Sequence, residues 1–400
     1  MNIANVLLSL FIFCIIVTFH EFGHFLLAKL NGVGVTEFAI GFGPKLISKK
    51  YKDTIYSIRL IPLGGFCAMV GENEFEDEDK DEENEENKEK EDEDEDKEIK
   101  EEKKSFFHKD KKKEEKKAKE KIEIDPEKAF SNKKLWQKFL IVLAGPLFNF
   151  IMAFLVAIIY ITFFGSPPAA RIGEIVDGTP AAESEMQVGD VIVGMNGRHI
   201  SSFQDVSSYT SVYTNRPIVF DVIRDDQHIQ YTISPAYNEE YGKSIFGFRY
   251  ESDYITEGRS VFDILKMSYY ECRYYARMVY DSVYMIANKE ASVKDISSIV
   301  GVVDVMDTGM ESAKELGGTK TLIGFCLFFT ILLSVNLGIM NLLPIPALDG
   351  GRLFIYLIEG ITRKSIPPKI ENAINAIGFV VLFGLMIVLV FHDIIRIAMR

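Results

Sequence analysis

Four uncharged stretches punctuate the chain, at residues 1–19, 139–164, 321–348 and 372–391. Each exceeds the roughly 18 apolar residues that carry an α-helix across a bilayer, so about four transmembrane helices are predicted. The first has no basic start and no small-residue cleavage site, and it runs straight into His20 and Glu21. It therefore reads as a retained span and not as a leader. Residues 32–71, rich in Gly and β-branched side chains, alternate as a strand over 55–60. Pro62, Gly64 and Gly65 then turn the chain before 66–70, which predicts a hairpin at the membrane surface. Residues 171–250 combine short apolar strands, Gly-Asp and Asn-Gly turns and a helix start at Thr179-Pro180-Ala181-Ala182, the pattern of a small mixed α/β domain. Residues 260–288, dense in Tyr and Met with Arg and Lys between, fit an amphipathic helix on a membrane or domain surface. An ordinary core helix fits them about as well.

Composition changes this picture in one place. The 48% hydrophobic and 26% charged residues coexist because the charge is concentrated. Residues 72–128 hold 28 acids and 16 basic residues, a net of −12 out of −13 for the whole chain. The remainder, with 30 acids and 29 Lys and Arg, is neither a basic nucleic-acid binder nor an evenly acidic globule. Up to residue 102 the charged stretch sets 21 acids against 5 lysines, and a Lys-rich section follows. No core forms from such a composition, so a solvated, disordered insertion is expected, with binding of cations or a basic partner as the alternative. Cys14, Cys67, Cys272 and Cys326 form no pair with metal or redox spacing and read as buried thiols.

The chemistry concentrates in His20-Glu21-Phe22-Gly23-His24, where the first apolar run ends. On a helix, positions i and i+4 share a face, so both imidazoles can hold one Zn²⁺ with Glu21 beside them. Ionisable groups inside a span are costly and usually functional, which weighs against two hydrogen-bonded core histidines. Two histidines leave a catalytic zinc one protein ligand short. His108, His199, His228 and His392 are not well placed by sequence. Asp349 is the better candidate, in Asn341-Leu342-Leu343-Pro344-Ile345-Pro346-Ala347-Leu348-Asp349-Gly350-Gly351, where an uncharged run ends in a carboxylate at a helix break. A helix-capping Asp in a loop is the other reading.

These motifs resemble those of the site-2 proteases, zinc metalloproteases that cut within membranes, and more closely the bacterial regulator of sigma-E protease branch. Further matches are Gly41-Phe42-Gly43-Pro44, Ile58-Arg59-Leu60-Ile61-Pro62-Leu63-Gly64-Gly65-Phe66 and Ala144-Gly145-Pro146-Leu147-Phe148-Asn149. The resemblance covers nearly everything except the charged insertion. It implies one Zn²⁺ per chain held by His20, His24 and Asp349, with Glu21 as general base. Asn341 would steady substrate backbone, or else form an interhelical hydrogen bond. Gly145 and Asn149 would serve helix packing. A helical substrate must unwind to present a carbonyl, and a strand edge around Ile58, Leu60, Gly64 and Gly65 would offer it replacement main-chain bonds. A purely structural hairpin is the alternative. The soluble region resembles a single PDZ domain: Ile172-Gly173-Glu174-Ile175 would be its peptide-binding strand, and Val188-Gly189-Asp190-Val191-Ile192-Val193-Gly194-Met195-Asn196-Gly197 is its most recognisable run. Ser184-Glu185-Met186 departs from the usual Ala-Gly-Leu, and no second copy is seen.

The expected protein is thus a polytopic α-helical membrane protein with a membrane-associated β-hairpin and one inserted α/β PDZ-like domain. Its expected parts are 1–71 (first span, zinc motif and β region), 72–128 (insertion), 129–166 (second span), 167–257 (PDZ-like domain), 258–320 (amphipathic connector) and 321–400 (last two spans and third ligand). The expected activity is intramembrane cleavage of single-span membrane proteins, with peptide termini at the PDZ-like domain, lipid around the spans and no nucleic acid. A non-catalytic membrane scaffold and a membrane-anchored peptidase acting on soluble peptides are the competing readings. Lys29, Lys45, Lys49, Lys50, Lys52 and Arg59 follow the first span, Lys133, Lys134 and Lys138 enter the second, and Arg352, Arg363, Lys364 and Lys369 separate the last two. Positive loops tend to stay cytoplasmic, which predicts that the insertion lies in the cytoplasm and that the PDZ-like domain and both termini lie outside it; the resemblance implies that the membrane is a bacterial inner membrane.

Overall fold

The computed structural model describes residues 2–72, 126–213, 216–239, 242–251, 253–288 and 297–399. Most of the charged insertion expected at 72–128, with His108, lies outside the described residues. In chain order the elements are α1 (Ile3–Leu30), β1 (Val35–Tyr51), β2 (Thr54–Met69), α2 (Leu135–Phe164), β3 (Ala170–Ile175), α3 (Pro180–Glu183), β4 (Val191–Met195), β5 (Arg198–His199) and α4 (Phe203–Val212). They continue as β6 (Ile218–Arg224), β7 (Gln227–Ile233), β8 (Ala236–Asn238), β9 (Lys243–Ile245), β10 (Phe248–Tyr250), α5 (Val261–Ala287), α6 (Ile299–Leu342), α7 (Asp349–Thr362) and α8 (Pro368–Ala398). Among the described residues α1, α2, α6 and α8 are long and apolar enough to cross a membrane. The chain divides into two compact units, one of residues 1–19, 146–343 and 381–400 and one of residues 20–145 and 344–380.

In the first unit, the start of α1, α2 and α6 close over a core of Ile12, Ile16, Met152, Met306, Met310 and Phe329. A second core joins Ala153 and Ala157 of α2 to Tyr275 of α5 and to Ile331 and Val335 of α6. Small residues at Ala153, Ala157 and Gly338 let helices approach closely, and a Cβ on Gly338 would stand 3.1 Å from Phe150. Gly318 (φ 63°) breaks α6, so its apolar run follows the break and its Asp- and Glu-bearing turns precede it. Helix α5 opens with a reciprocal cap in which Ser260 Oγ accepts from Asp263 N while Asp263 accepts from Ser260 N.

The soluble domain of this unit is a sheet ordered β10-β3-β4-β6-β7, with β5 paired to β4, around Ile172, Ile192, Met195, Ile218, Phe220 and Val222. Strand β3 lies between two neighbours: Glu174 and Ile175 pair with Arg249 and Phe248, and Ile172 pairs with Tyr250 while exchanging main-chain bonds with Gly189 and Asp190. Ile172 thus has main-chain partners on both sides, and β10 occupies one side of Glu174 and Ile175. The outer strands are β10 and β7, and a cavity of about 490 Å³ lies between residues 243–250 and Val206, Ser207, Thr210 and Ser211 of α4. Arginines fasten α5 to this domain: Arg198 donates to Asp281 at 2.9 Å, and Arg277 donates to the His199 carbonyl at 2.6 Å.

The second unit is built on β1 and β2. Gly41 (φ 84°) sits where a Cβ would strike the Ile61 carbonyl at 2.6 Å, and there β1 bends. The bend lets residues 55–58 pair twice, with 47–50 on one side and with 37–40 on the other, while 65–69 pairs with 35–40. Ile58 faces main-chain partners Ile40 and Ile47 on its two sides. Ile58 therefore has no free main-chain edge, contrary to the expectation, whereas Leu60 lies beyond this doubly paired segment. Among the described residues no further strand pairs with the outer side of 65–69. Ala28, Val35, Cys67, Phe130, Ile141, Val142 and Leu353 form the core here.

Candidate metal centre

Helix α1 carries His20, Glu21 and His24 and, with no proline among them, continues through Gly23 unbroken to Leu30. Both imidazoles are buried, at 7% and 8% exposure. Their Nε2 atoms lie 3.2 Å apart, and each points at Asp349 Oδ2, at 3.1 Å from His20 and 3.3 Å from His24. Three donors on a tetrahedral zinc at 2.0–2.1 Å would stand about 3.3 Å from one another. Asp349 Oδ2 is buried without a well-formed hydrogen bond, although two ring nitrogens face it. A buried carboxylate oxygen left unbonded beside two imidazoles is the arrangement expected of a cation site. Two nitrogens and one oxygen fit zinc with one position left open.

Neighbouring groups fix this geometry. His24 Nδ1 lies 2.9 Å from the Ile141 carbonyl, placed to donate there and leave the Nε2 lone pair for a metal. Gly145, one turn further along α2, faces the same rings, and a Cβ there would come within 2.7 Å of His20 Cε1. Its role is thus to clear space for the ligand pair, which the expectation of helix packing did not specify. On the other side, the Pro344-Ile345-Pro346-Ala347-Leu348 turn leads into α7, with Ala347 at φ 72° and its N–H donating to Asn375 Oδ1 at 3.3 Å. Gly351 leaves room for that turn, since a Cβ on it would meet the Ile345 carbonyl at 2.5 Å. Asp349 is consequently the first residue of α7, aimed by a turn with little freedom. Burial pushes its carboxyl up, and the imidazoles of His24 and His20 more than cancel this, holding it well below the usual range.

The three ligand candidates and Glu21 line a cleft of about 180 Å³ with Cys67, Met69, Val142, Glu72 and Arg352. Gly65, where a Cβ would lie 3.8 Å from Glu21 Cγ, leads into residues 65–69. Gly65 thus stands beside Glu21, while none of Ile58, Leu60, Gly64 and Gly65 lines the cleft. Asn341 sits half-buried in the last turn of α6. Sequence reasoning did not find Cys67, Met69, Glu72, Val142 or Arg352. Arg352 carried a usable signal, standing one helical turn after Asp349 on the same face. Glu72 carried none.

Residues 8–385 match the family described as Peptidase family M50. The chain is 31% identical over 431 residues to the regulator of sigma-W protease RasP of Bacillus subtilis, covering 99% of both chains. It is 30% identical over 419 residues to the zinc metalloprotease RasP of Shouchella clausii, covering 96% of this chain and 97% of that one. Among solved structures it is similar to the PDZ domain of an SdrC-like protein from Listeria innocua, with a TM-score of 0.19 and 14% identity over 22% of this chain and 98% of that chain.

Proposed function

The chain belongs to peptidase family M50, the site-2 protease family of zinc metalloendopeptidases, and we propose that it cuts single-span membrane proteins within the bilayer. The observation that carries this reading is the convergence of His20, Glu21, His24 and Asp349 on one buried cleft, with the histidines on a helix apolar enough to span. Exposed apolar side chains along α8, among them Ile377, Phe379, Val380 and Phe391, suit hydrocarbon surroundings and not water.

His20, His24 and Asp349 would hold the zinc. When bound, zinc supplies Lewis-acid chemistry, lowering the pKa of water toward about 7 and polarising a carbonyl. Glu21 receives a proton from the attacking water and hands it to the departing amine, which is why an acid must sit beside the ligands and not among them. Residues 65–69, with which no second strand pairs among the described residues, offer the unwound substrate a main-chain edge, and Asn341 steadies the substrate backbone. The cavity along β10 receives peptide termini, in place of Ile172–Ile175, and restricts access without doing chemistry.

The Bacillus subtilis relative is named as a regulator of sigma-W. By that likeness, substrates here are membrane-anchored regulators such as anti-sigma factors, or signal-peptide remnants, in a bacterial inner membrane. Lys and Arg near the spans put the PDZ-like domain outside the cytoplasm. Membrane proteomes from cells with the native protein and with Glu21→Gln should differ by truncated single-span proteins that accumulate in the variant. No accumulation would sink the reading. Protease added to sealed cells should cut near the soluble domain and spare a tag at Glu86, and the reverse pattern would overturn the sidedness.

A further inference from the structure

Helix α6 doubles back on itself. Its backbone leaves the helical region at Gly317 and Gly318, and beyond that break the Phe325 ring lies so close to Gly309 that a Cβ there would overlap it. The inside of this elbow and the end of α2 enclose a crevice of about 600 Å³, which falls wholly within the first unit. Rings of Tyr160, Phe164, Phe325 and Phe328 wall it. They are held in place: Tyr160 and Phe164 stack with centres 5.5 Å apart, and Phe325 meets Phe328 at 6.1 Å. A Cβ on Gly324 would come 2.7 Å from Phe164, so the glycine leaves that ring its room.

The lining is divided in its chemistry. Phe163 and Leu316 belong to it yet are 68% and 85% exposed, which suits hydrocarbon and not water. Lys320, also exposed, lines the same crevice, and no carboxylate does. An ammonium held in hydrocarbon is costly, so Lys320 belongs at the level of the lipid headgroups. Arg259 marks that level from the neighbouring helix, because it donates to the Ile161 and Thr162 carbonyls where α2 ends. A ligand that satisfies both halves has a hydrocarbon chain for the rings and an anion for the ammonium. A small soluble anion satisfies only the second, and a neutral lipid only the first.

We propose that this crevice binds one anionic glycerophospholipid, with an acyl chain among the phenyl rings and the phosphate at Lys320. The proposal rests on α2 and α6 crossing the bilayer and is independent of the metal site. Full-length protein in mild detergent would be supplied with equal amounts of dioleoylphosphatidylglycerol and dioleoylphosphatidylcholine and read by native mass spectrometry. The native chain should retain one phosphatidylglycerol in preference to phosphatidylcholine. Lys320→Gln should lower that preference about fivefold, and Lys320→Arg should keep it. Ser312→Trp, which fills the crevice, should lose the retained molecule. Lys134→Gln, at the other end of α2, is the control and should behave like the native protein. No preference in the native protein, or a loss in Lys134→Gln equal to that in Lys320→Gln, would overturn the site. Displacement of the lipid by glycerol 1-phosphate would assign Lys320 to a soluble anion, and dimers that Ser312→Trp abolishes would assign the crevice to a second copy of the chain; either result overturns the proposal. If alkaline carbonate releases the protein from membranes, the spanning reading fails and takes the site with it, whereas a protein that stays in the membrane without a lipid preference loses the site alone.

Discussion

Replacing Gly145 by Ala tests whether the close approach of α2 to the imidazoles matters for metal binding. The added methyl carbon would stand 2.5 Å from His24 Cε1 and 2.7 Å from His20 Cε1. Carbon atoms in contact settle at about 3.5–4.0 Å, so the rings or the helix must give by about 1 Å. His24 cannot yield without stretching its 2.9 Å contact with Ile141, and neither ring can yield without disturbing nitrogens set 3.1–3.3 Å from Asp349 Oδ2. Overpacking of this kind costs about 1–3 kcal/mol. If that cost falls on the metal-bound arrangement, zinc affinity drops by about ten- to a hundredfold. The measurement is competition for zinc against a fluorescent chelator at fixed pH on the purified protein, with cleavage of a model substrate recorded alongside. Gly338→Ala is the control, since its methyl would press on Phe150 at 3.1 Å and on no ligand. Native zinc affinity in Gly145→Ala, or an equal loss in Gly338→Ala, would refute the reasoning.

Glu21→Gln should abolish cleavage with one zinc retained, while His20→Ala, His24→Ala and Asp349→Ala should each lose both, as metal analysis beside an activity assay will tell. Chelation of the native protein should stop cleavage, and added zinc should restore it. In the soluble domain, burial pushes the Asp190 carboxyl up, but the forked hydrogen bonds from Arg224 at 2.6 and 2.8 Å outweigh this and hold it below its ordinary value of 3.8. A carboxyl depressed by folding contributes stability above its unfolded pKa and loses it as pH falls through the folded one. Asp190→Asn should therefore lower the unfolding midpoint at neutral pH and flatten the fall in stability below about pH 4, read by hydrogen exchange of the β4 and β6 amides.

Local chemistry was legible from the chain by itself. Apolar runs longer than a bilayer needs mark α1, α2, α6 and α8, because helix length and hydropathy are properties of consecutive residues. The i, i+4 spacing of His20 and His24 puts both rings on one helix face for the same reason. A carboxylate after two prolines marked the start of α7 at Asp349. What the tertiary structure decided was which edges stay open and which helices touch. Strand alternation assigns faces, not neighbours, so only the fold set Ile58 between two paired segments and laid β10 along β3. Among the described residues, 65–69 and 47–50 are outermost in one sheet, and β10 and β7 in the other. Glu72 and Arg352, 280 positions apart, meet only in the fold, as an ion pair that no local pattern encodes. Gly145 likewise looks like any small residue in a span until folding brings two imidazoles against it, because the need for an absent side chain is set by what packs there.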